Sequence, residues 1–194
     1  MVKEINKGIS HHVLLTSIEP GEFNYDSPDI KVWIENLKDT FATLPKDAAG
    51  LAINQIYDDN LHSMPPMFIA RTPKSIDGEI FLNPRGLGTG GHVSNYEGCS
   101  SFPSNTPIKK SRHKNYTILY LNEKGEEQSF KVGPPWSLII QHEVDHLEGK
   151  VLYGSHNYTG TLCRKSRSKI TEPKNQQPPL GFPPPLLKEE PNTP

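Results

Sequence analysis

The stretch Gln141-His142-Glu143-Val144-Asp145-His146-Leu147 places two histidines four positions apart, with a glutamate directly after the first. Residues four apart lie on the same face of an α-helix, so His142 and His146 can direct two imidazoles at one cation. Glu143, one step round the helix, leans over the same cation. A metal held by two imidazoles beside a carboxylate makes hydroxide from water near neutral pH. The stretch therefore predicts a metal-dependent hydrolase.

The third metal ligand decides the kind of site, because a catalytic metal usually takes three protein ligands and keeps one open position. In the best-known peptidases with this helix, that ligand is a downstream histidine, but this chain has Leu152 at the required position. Glu172 is a second downstream option, at the edge of a proline-rich segment that is a poor support for a rigid ligand. Upstream, Cys99 offers a thiolate at an expected strand end or tight turn. One thiolate and two imidazoles suit zinc or ferrous iron.

Two further segments complete a set of three motifs. Cys99 lies within Glu97-Gly98-Cys99-Ser100-Ser101, and Gly50-Leu51-Ala52-Ile53-Asn54-Gln55 is a small-residue stretch that ends in an amide donor. With residues 141–147 they resemble, in the same order, the signature motifs of the peptide deformylase family. Those motifs read Gly-(apolar)-Gly-Leu-Ala-Ala-x-Gln, Glu-Gly-Cys-Leu-Ser and Gln-His-Glu-x-Asp-His-Leu. The resemblance covers roughly residues 12–154.

The match differs between the motifs. Residues 141–147 match the third motif in full, and the second departs only at Ser100, where leucine is usual. The first is the loosest, because Ala48 and Ala49 replace its opening pair and Ile53 replaces an alanine. These departures concern the fit of the substrate more than the chemistry. Asn54 in the variable position, and a short domain after the metal helix, resemble phage-encoded members of the family.

The resemblance implies the roles of the chemical groups. Cys99, His142 and His146 would bind one divalent metal, which in this family is usually ferrous iron, although zinc, nickel or cobalt also fits these ligands. Glu143 would act as the general base and then as the acid that protonates the leaving amine. Gln55 and Ser100, through its backbone N–H, would stabilise the developing oxyanion.

The resemblance also implies the substrate. The family removes the formyl group from the N-terminal formylmethionine of nascent chains and releases formate. By the same resemblance, the residues expected to bind the substrate are Gly50, Ile53, Leu138 and Ile139. Two other functions stay open: a zinc endopeptidase, and an inactive deformylase-like module that binds nascent chains or the ribosome.

Length and composition agree with a compact enzyme. The chain has 194 residues, enough for one domain with a proper core, and its net charge of −1 gives no broad attraction to DNA or membrane. Its two cysteines make no disulfide framework, and a thiolate ligand favours a reducing compartment. The first residues carry no apolar signal segment. We therefore expect a cytoplasmic protein, in the host cell if phage-encoded.

Periodicity predicts an α+β fold with mixed or antiparallel sheets of short strands around the metal helix. Helices are expected at residues 27–44 and from Pro134-Pro135 to Gly149, where the glycine ends the helix. Strands are expected at residues 67–71, 79–83, 92–97, 116–122 and 128–132, with a hairpin turn at Glu123-Lys124-Gly125. Helices and hairpin-connected strands together indicate α+β rather than a doubly wound sheet.

The C-terminal part has a different character. Residues 164–169 are basic, and residues 171–194 contain eight prolines and few apolar groups. Such a segment cannot bury enough surface to offset the entropy of ordering, so it is expected to be a disordered tail. We divide the chain into a catalytic domain, residues 1–160, and a tail, residues 161–194. The basic residues offer a transient contact with ribosomal RNA, and a solvated linker is the alternative.

Overall fold

The computed structural model describes residues 1–8, 12–102 and 107–152, all within one compact unit, Met1–Tyr158. The predicted tail, residues 161–194, lies outside the described residues. The described part contains two helices and five strands: α1 (Pro28–Ala42), β1 (Gly50–Ala52), β2 (Met67–Ala70), β3 (Glu79–Glu97), β4 (Ile108–Leu121), β5 (Glu127–Val132) and α2 (Trp136–Leu147). Short 3-10 helices cover His12–Leu15, Ile53–Gln55 and Leu61–Ser63. The predicted α+β class is confirmed.

The five strands form one sheet in which neighbours in the chain are neighbours in space. Each of the four pairings is antiparallel, as expected where strands are joined by short connections. The predicted hairpin lies between β4 and β5. There the side-chain oxygen of Asn122 accepts hydrogen bonds from the backbone N–H groups of Lys124 and Glu126, both at 3.0 Å. Gly125 completes the turn with a φ of 76°.

The prediction of separate short strands at residues 79–83 and 92–97 was wrong. The structure has one strand, β3, across the whole stretch, and β4 begins at Ile108, well before the expected start at Tyr116. The glycines between the two predicted strands lie within β3. The register shifts twice along β3, between Leu82 and Arg85 and between Thr89 and His92. Such bulges let a long strand bend without ending it.

Helix α1 forms as its sequence predicts. The side chain of Ser27 caps it by accepting a hydrogen bond from the backbone N–H of Asp29 at 3.3 Å, and Pro28 occupies the first turn. Its buried apolar face, Ile30, Ile34, Leu37 and Phe41, belongs to the single core cluster. The helix ends at Ala42, two residues before the predicted end. Thr43 and Leu44 instead make 3.1 Å turn bonds to the carbonyls of Thr40 and Phe41.

Helix α2 carries the metal motif and contacts the sheet through β1, β2 and β4. Its residues Ile140 and Leu147 lie in the core, while His146 and Glu143 are buried polar groups on the same helix. The helix therefore brings polar side chains into an apolar interior, a cost that proteins usually accept only at functional sites. None of the helices in the described part is long and apolar enough to cross a membrane.

Gly149 ends α2 at the predicted position. Its φ is 68°, and its N–H donates to the carbonyl oxygen of His146 at 3.0 Å. A Cβ at this position would lie 2.6 Å from the carbonyl oxygen of Leu15. Two constraints therefore favour glycine here, a left-handed backbone and close contact with another chain segment.

We expect Gly149→Ala to lower the free energy of unfolding by about 2–4 kcal/mol, because it adds the cost of a left-handed alanine to an overlap with backbone. Gly91→Ala is a matched control, since Gly91 has a φ of 70° but nothing within 4 Å of the added methyl. Urea unfolding of both variants measures the difference. Equal losses in the two variants would show that the contact with Leu15 contributes nothing.

Candidate metal centre

Helix α2 holds its two histidines next to each other. The ring centroids of His142 and His146 are 5.0 Å apart, as expected for residues four apart in a helix. His146 is 1% exposed. Nδ1 of His142 donates to a carboxylate oxygen of Glu97 at 3.1 Å, so the other ring nitrogen, Nε2, is the one available to a metal. The hydrogen bond to Glu97 fixes the tautomer and the orientation of the imidazole ring. Carboxylates that hydrogen-bond to metal-binding histidines have the same effect in other metal sites.

Cys99 reaches the two histidines from the other side. It follows the end of β3 in a tight turn, where the N–H of Phe102 donates to the Cys99 carbonyl at 2.9 Å. Its Sγ lies 3.2 Å from Nε2 of His146. The sulfur and one nitrogen of each histidine all lie within 4.8 Å of one another. The structure thus brings together the three residues predicted to bind a metal.

These three donors fit a divalent transition metal. Bonds of about 2.3 Å to sulfur and about 2.1 Å to nitrogen at tetrahedral angles would separate the donors by roughly 3.5 Å. This is compatible with the 3.2 Å between Sγ of Cys99 and Nε2 of His146 and with the limit of 4.8 Å for all three donors. Thiolate and imidazole are the ligand types that zinc and ferrous iron accept. Burial lowers the pKa of His146 well below its usual value, with the charges of His142 and Arg112 acting in the same direction. A neutral imidazole keeps the lone pair that a metal needs.

A buried network of ion pairs lies next to the candidate metal ligands. Arg112 of β4 donates two hydrogen bonds to Glu97, both at 2.8 Å, and one to Asp145 at 2.7 Å. Although burial by itself raises the pKa of Glu97, the hydrogen bonds from Arg112 and His142 lower it to about 2. Glu97 is therefore an anion that can hold the ring of His142. Arg112 was not predicted from the sequence, because the expected strand began at Tyr116 and did not include it, whereas β4 covers Arg112 and buries its side chain.

Glu143 lies in a pocket shaped by a glycine. It is 3% exposed, and its Oε2 has no hydrogen-bond partner among the described residues. A Cβ on Gly50 would lie 2.5 Å from Oε1 of Glu143. Gly50 was predicted to admit substrate; it does line the cleft, but the space beside its Cα is filled by Glu143. Burial raises the pKa of Glu143 to about 7, against the opposing charges of His142 and Arg112.

The side-chain amide of Gln55 is held on both sides. Its Oε1 accepts from the backbone N–H of Ala52 at 2.8 Å, and its Nε2 donates to Oγ of Ser101 at 3.0 Å. The second N–H of this amide is directed to Cys99, with Nε2 3.8 Å from the sulfur. Because Oε1 is fixed by Ala52, the donor end of the amide faces Cys99, one of the three candidate metal ligands.

A cleft of about 680 Å³ opens onto these groups. Among the predicted substrate-binding residues, Gly50, Leu138 and Ile139 line it, as does Ser100. Ile53 does not line the cleft: it is 0% exposed and belongs to the core. The prediction that Ile53 contacts substrate is thus wrong, because the 3-10 turn directs its side chain inward while Gln55 reaches the site.

A cleft that ends at a thiolate, two imidazoles and a buried carboxylate defines a metal-dependent hydrolase. The family model of polypeptide deformylases matches residues 2–159. The chain is 31% identical to the peptide deformylase of Pseudoalteromonas translucida over 137 residues, which are 70% of this chain and 77% of that protein. The chain belongs to the peptide deformylase family, the metal-dependent hydrolases that remove the formyl group from N-terminal methionine.

Solved structures agree. The peptide deformylase of Thermotoga maritima superimposes with a TM-score of 0.66 at 25% identity, over 78% of this chain and 95% of that one. A probable peptide deformylase from Synechococcus phage S-SSM7 has the same fold, with a TM-score of 0.64 at 22% identity, over 77% of this chain and 96% of that one. The predicted fold and activity are confirmed. Neither the endopeptidase nor the inactive module finds support in these comparisons.

We expect Glu97→Gln to weaken metal affinity by about 10–100-fold, because an amide orients the imidazole of His142 less firmly than a carboxylate. It should also lower the free energy of unfolding by about 3 kcal/mol, since Arg112 loses a buried partner. Competition with a metal chelator and urea unfolding measure the two effects. Glu127→Gln is a control, because Glu127 is an exposed carboxylate on β5.

The difference in the free energy of unfolding between the native protein and Glu97→Gln should depend on pH with a definite sign. Glu97 has its pKa lowered to about 2 in the folded protein, so it contributes its full stability above its ordinary value of about 4.5. The stability gap between the native protein and Glu97→Gln should therefore be constant near neutral pH and shrink as the pH falls from about 4.5 towards 2. A gap that is unchanged at pH 3 would contradict the buried ion network.

Proposed function

We propose that Cys99, His142 and His146 together hold one divalent metal in this deformylase, and that ferrous iron is the native ion. The proximity of the three donors supports the site, and the usual preference of the family supports iron. Zinc, nickel or cobalt also fits one thiolate and two imidazoles. When bound, the metal supplies Lewis acidity, which polarises a carbonyl and makes water acidic enough to lose a proton near neutral pH.

We assign the proton transfers to Glu143. Its carboxyl is buried beside His142, and burial raises its pKa to about 7. A group with a pKa near the working pH can take a proton from the attacking water and return it to the leaving amine. With one carboxylate oxygen left without a hydrogen-bond partner among the described residues, Glu143 has an acceptor available for that proton.

The oxyanion that forms on the formyl carbon needs donors that are already in place. We assign this role to the Nε2 amide of Gln55 and the backbone N–H of Ser100. The orientation of Gln55, fixed by Ala52 and Ser101, supports its part. Ser100 replaces the usual leucine without altering the main-chain donor, and it lines the same cleft as Gln55.

We propose that the cleft holds N-formylmethionyl peptides with the methionine side chain against Leu138 and Ile139. Both residues line the cleft on α2, in the turn before the metal ligand His142. Besides its oxygen and the amide nitrogen, a formyl carbon carries only hydrogen, so a tight cleft would admit it and exclude an internal peptide bond. Gly50 belongs to the same wall, through its backbone.

Three broader predictions concern the setting of the enzyme. The thiolate of Cys99 supports a reducing, cytoplasmic location. A transient ribosome contact through residues 164–169 stays a prediction, and these residues lie outside the described part. The phage origin likewise stays a prediction, because the phage structure shares only the fold at its level of identity.

We expect Glu143→Gln to reduce turnover at least a thousandfold while metal content and the free energy of unfolding stay close to those of the native protein. Glutamine has the same shape but cannot accept a proton, and it removes a carboxyl that is costly to bury. Formate release from a formyl-Met peptide, measured anaerobically with ferrous iron, is the readout.

An unformylated peptide of the same sequence controls for formate from other sources. Asp47→Asn is a matched control variant, since Asp47 is a carboxylate on the wall of the cleft but outside the metal centre. Substantial turnover by Glu143→Gln at saturating peptide would mean that another group is the base. Absence of formate release by the native protein with any of the four metals would reject the proposed function.

A further inference from the structure

The N-terminal segment, residues 1–8, bonds to both loops that carry the oxyanion donors. The backbone N–H of Asn6 donates to the carbonyl oxygen of Gln55 at 2.7 Å, and the N–H of Gly8 donates to the carbonyl oxygen of Ser101 at 2.9 Å. Gln55 belongs to the 3-10 turn Ile53–Gln55, and Ser101 to the turn after Cys99. The segment thus joins two loops that are distant in the chain, since Gln55 of the first loop and Cys99 of the second are 44 residues apart.

Within residues 1–8, Asn6 makes the most hydrogen bonds to the first of the two loops, the one that carries Gln55. Its side-chain Nδ2 donates to the carbonyl oxygens of Asn54 at 3.2 Å and Tyr57 at 3.0 Å. With its backbone bond to Gln55, one residue therefore holds three carbonyls on both sides of the catalytic amide. Asn6 is partly buried and does not line the cleft. It has no direct access to a peptide in the cleft.

The turn that carries Gln55 needs such support. A 3-10 turn of three residues has few hydrogen bonds of its own, and their geometry is poorer than in an α-helix. The donor on Gln55 must nevertheless meet an oxyanion whose position is set by metal ligands on other elements. A displacement of about 1 Å in a reacting or stabilising group is enough to cost on the order of a hundredfold in rate.

We propose that Asn6 is a positioning residue for the hydrolysis, because it holds the turn of Gln55 in register with the Cys99–Ser101 turn. The inference rests on the proposed role of Gln55 as an oxyanion donor. Asn6 acts on the transition state through Gln55, and not on the binding of the peptide. Its removal should therefore change kcat and leave KM nearly unaltered.

The test uses Asn6→Asp, which keeps the shape of the side chain but replaces its two N–H donors by a carboxylate facing two carbonyl oxygens. We expect kcat for a formyl-Met peptide to fall about tenfold, with KM within twofold and with metal content unchanged. Asn6→Ala, which removes the same donors without adding charge, should show the same pattern. The two variants separate a lost donor from an added charge.

Two controls separate positioning from general destabilisation. Glu4→Ala changes an exposed side chain in the same segment and should leave kcat unchanged. Ser27→Ala removes the α1 cap and should lower the unfolding temperature without lowering kcat. If Ser27→Ala reduces kcat as much as Asn6→Asp does at a similar loss of stability, the effect of Asn6 is structural and the inference is overturned.

A double-mutant cycle with Gln55→Ala decides whether Asn6 acts through Gln55. Gln55→Ala alone should lower kcat by about a hundredfold, and in that background Asn6→Asp should change kcat by less than twofold. Asn6→Asp acting by the same factor in both backgrounds, or in neither, would overturn the inference and leave the role of Gln55 intact. A Gln55→Ala variant with native kcat would instead reject the role of Gln55, and the inference with it.

Discussion

The metal centre depends on one buried cation. Arg112, on β4, is 5% exposed and pairs with Glu97 at the end of β3 and with Asp145 on α2. Of these elements, β3 precedes Cys99 and α2 carries His142 and His146. One guanidinium on β4 therefore fixes the distance between the cysteine turn and the histidine helix. Losing either anion would leave a buried charge only partly paired, which costs several kcal/mol. Because Glu97 also hydrogen-bonds to His142, the ion network holds a proposed metal ligand directly in place.

The carboxyl of Glu143, the proposed general base, depends on close packing rather than on an ion pair. Glu143 lies against Gly50, where a Cβ would meet the carboxyl at 2.5 Å, so β1 and α2 approach each other only because that residue is glycine. Burial of the carboxyl raises its pKa to about 7. Within one site, therefore, the pKa of Glu97 is lowered and the pKa of Glu143 is raised. Arg112 keeps Glu97 permanently charged, while burial lets Glu143 exchange a proton.

The prediction of the candidate site from the sequence was more accurate than the prediction of the sheet. Spacing in α2 and the position of Cys99 were enough to place the metal donors, because a helix has a fixed geometry. Gln55 was predicted from its motif, but the bonds to Ala52 and Ser101 that orient it depend on the folded turn. The continuity of β3 was not predicted, since glycines and bulges within a strand have the same local composition as a connecting turn. Ile53 was wrongly predicted to contact the substrate, because adjacent residues of a 3-10 turn point in different directions.

X-ray absorption at the iron edge tests the central claim most directly, using protein reconstituted anaerobically with ferrous iron. We expect one sulfur at about 2.3 Å and two imidazole nitrogens at about 2.1 Å in the iron shell, with the sulfur signal lost in Cys99→Ser. An iron shell made only of nitrogen and oxygen, or one unaffected by Cys99→Ser, would contradict it, because the thiolate and α2 would then not share a metal.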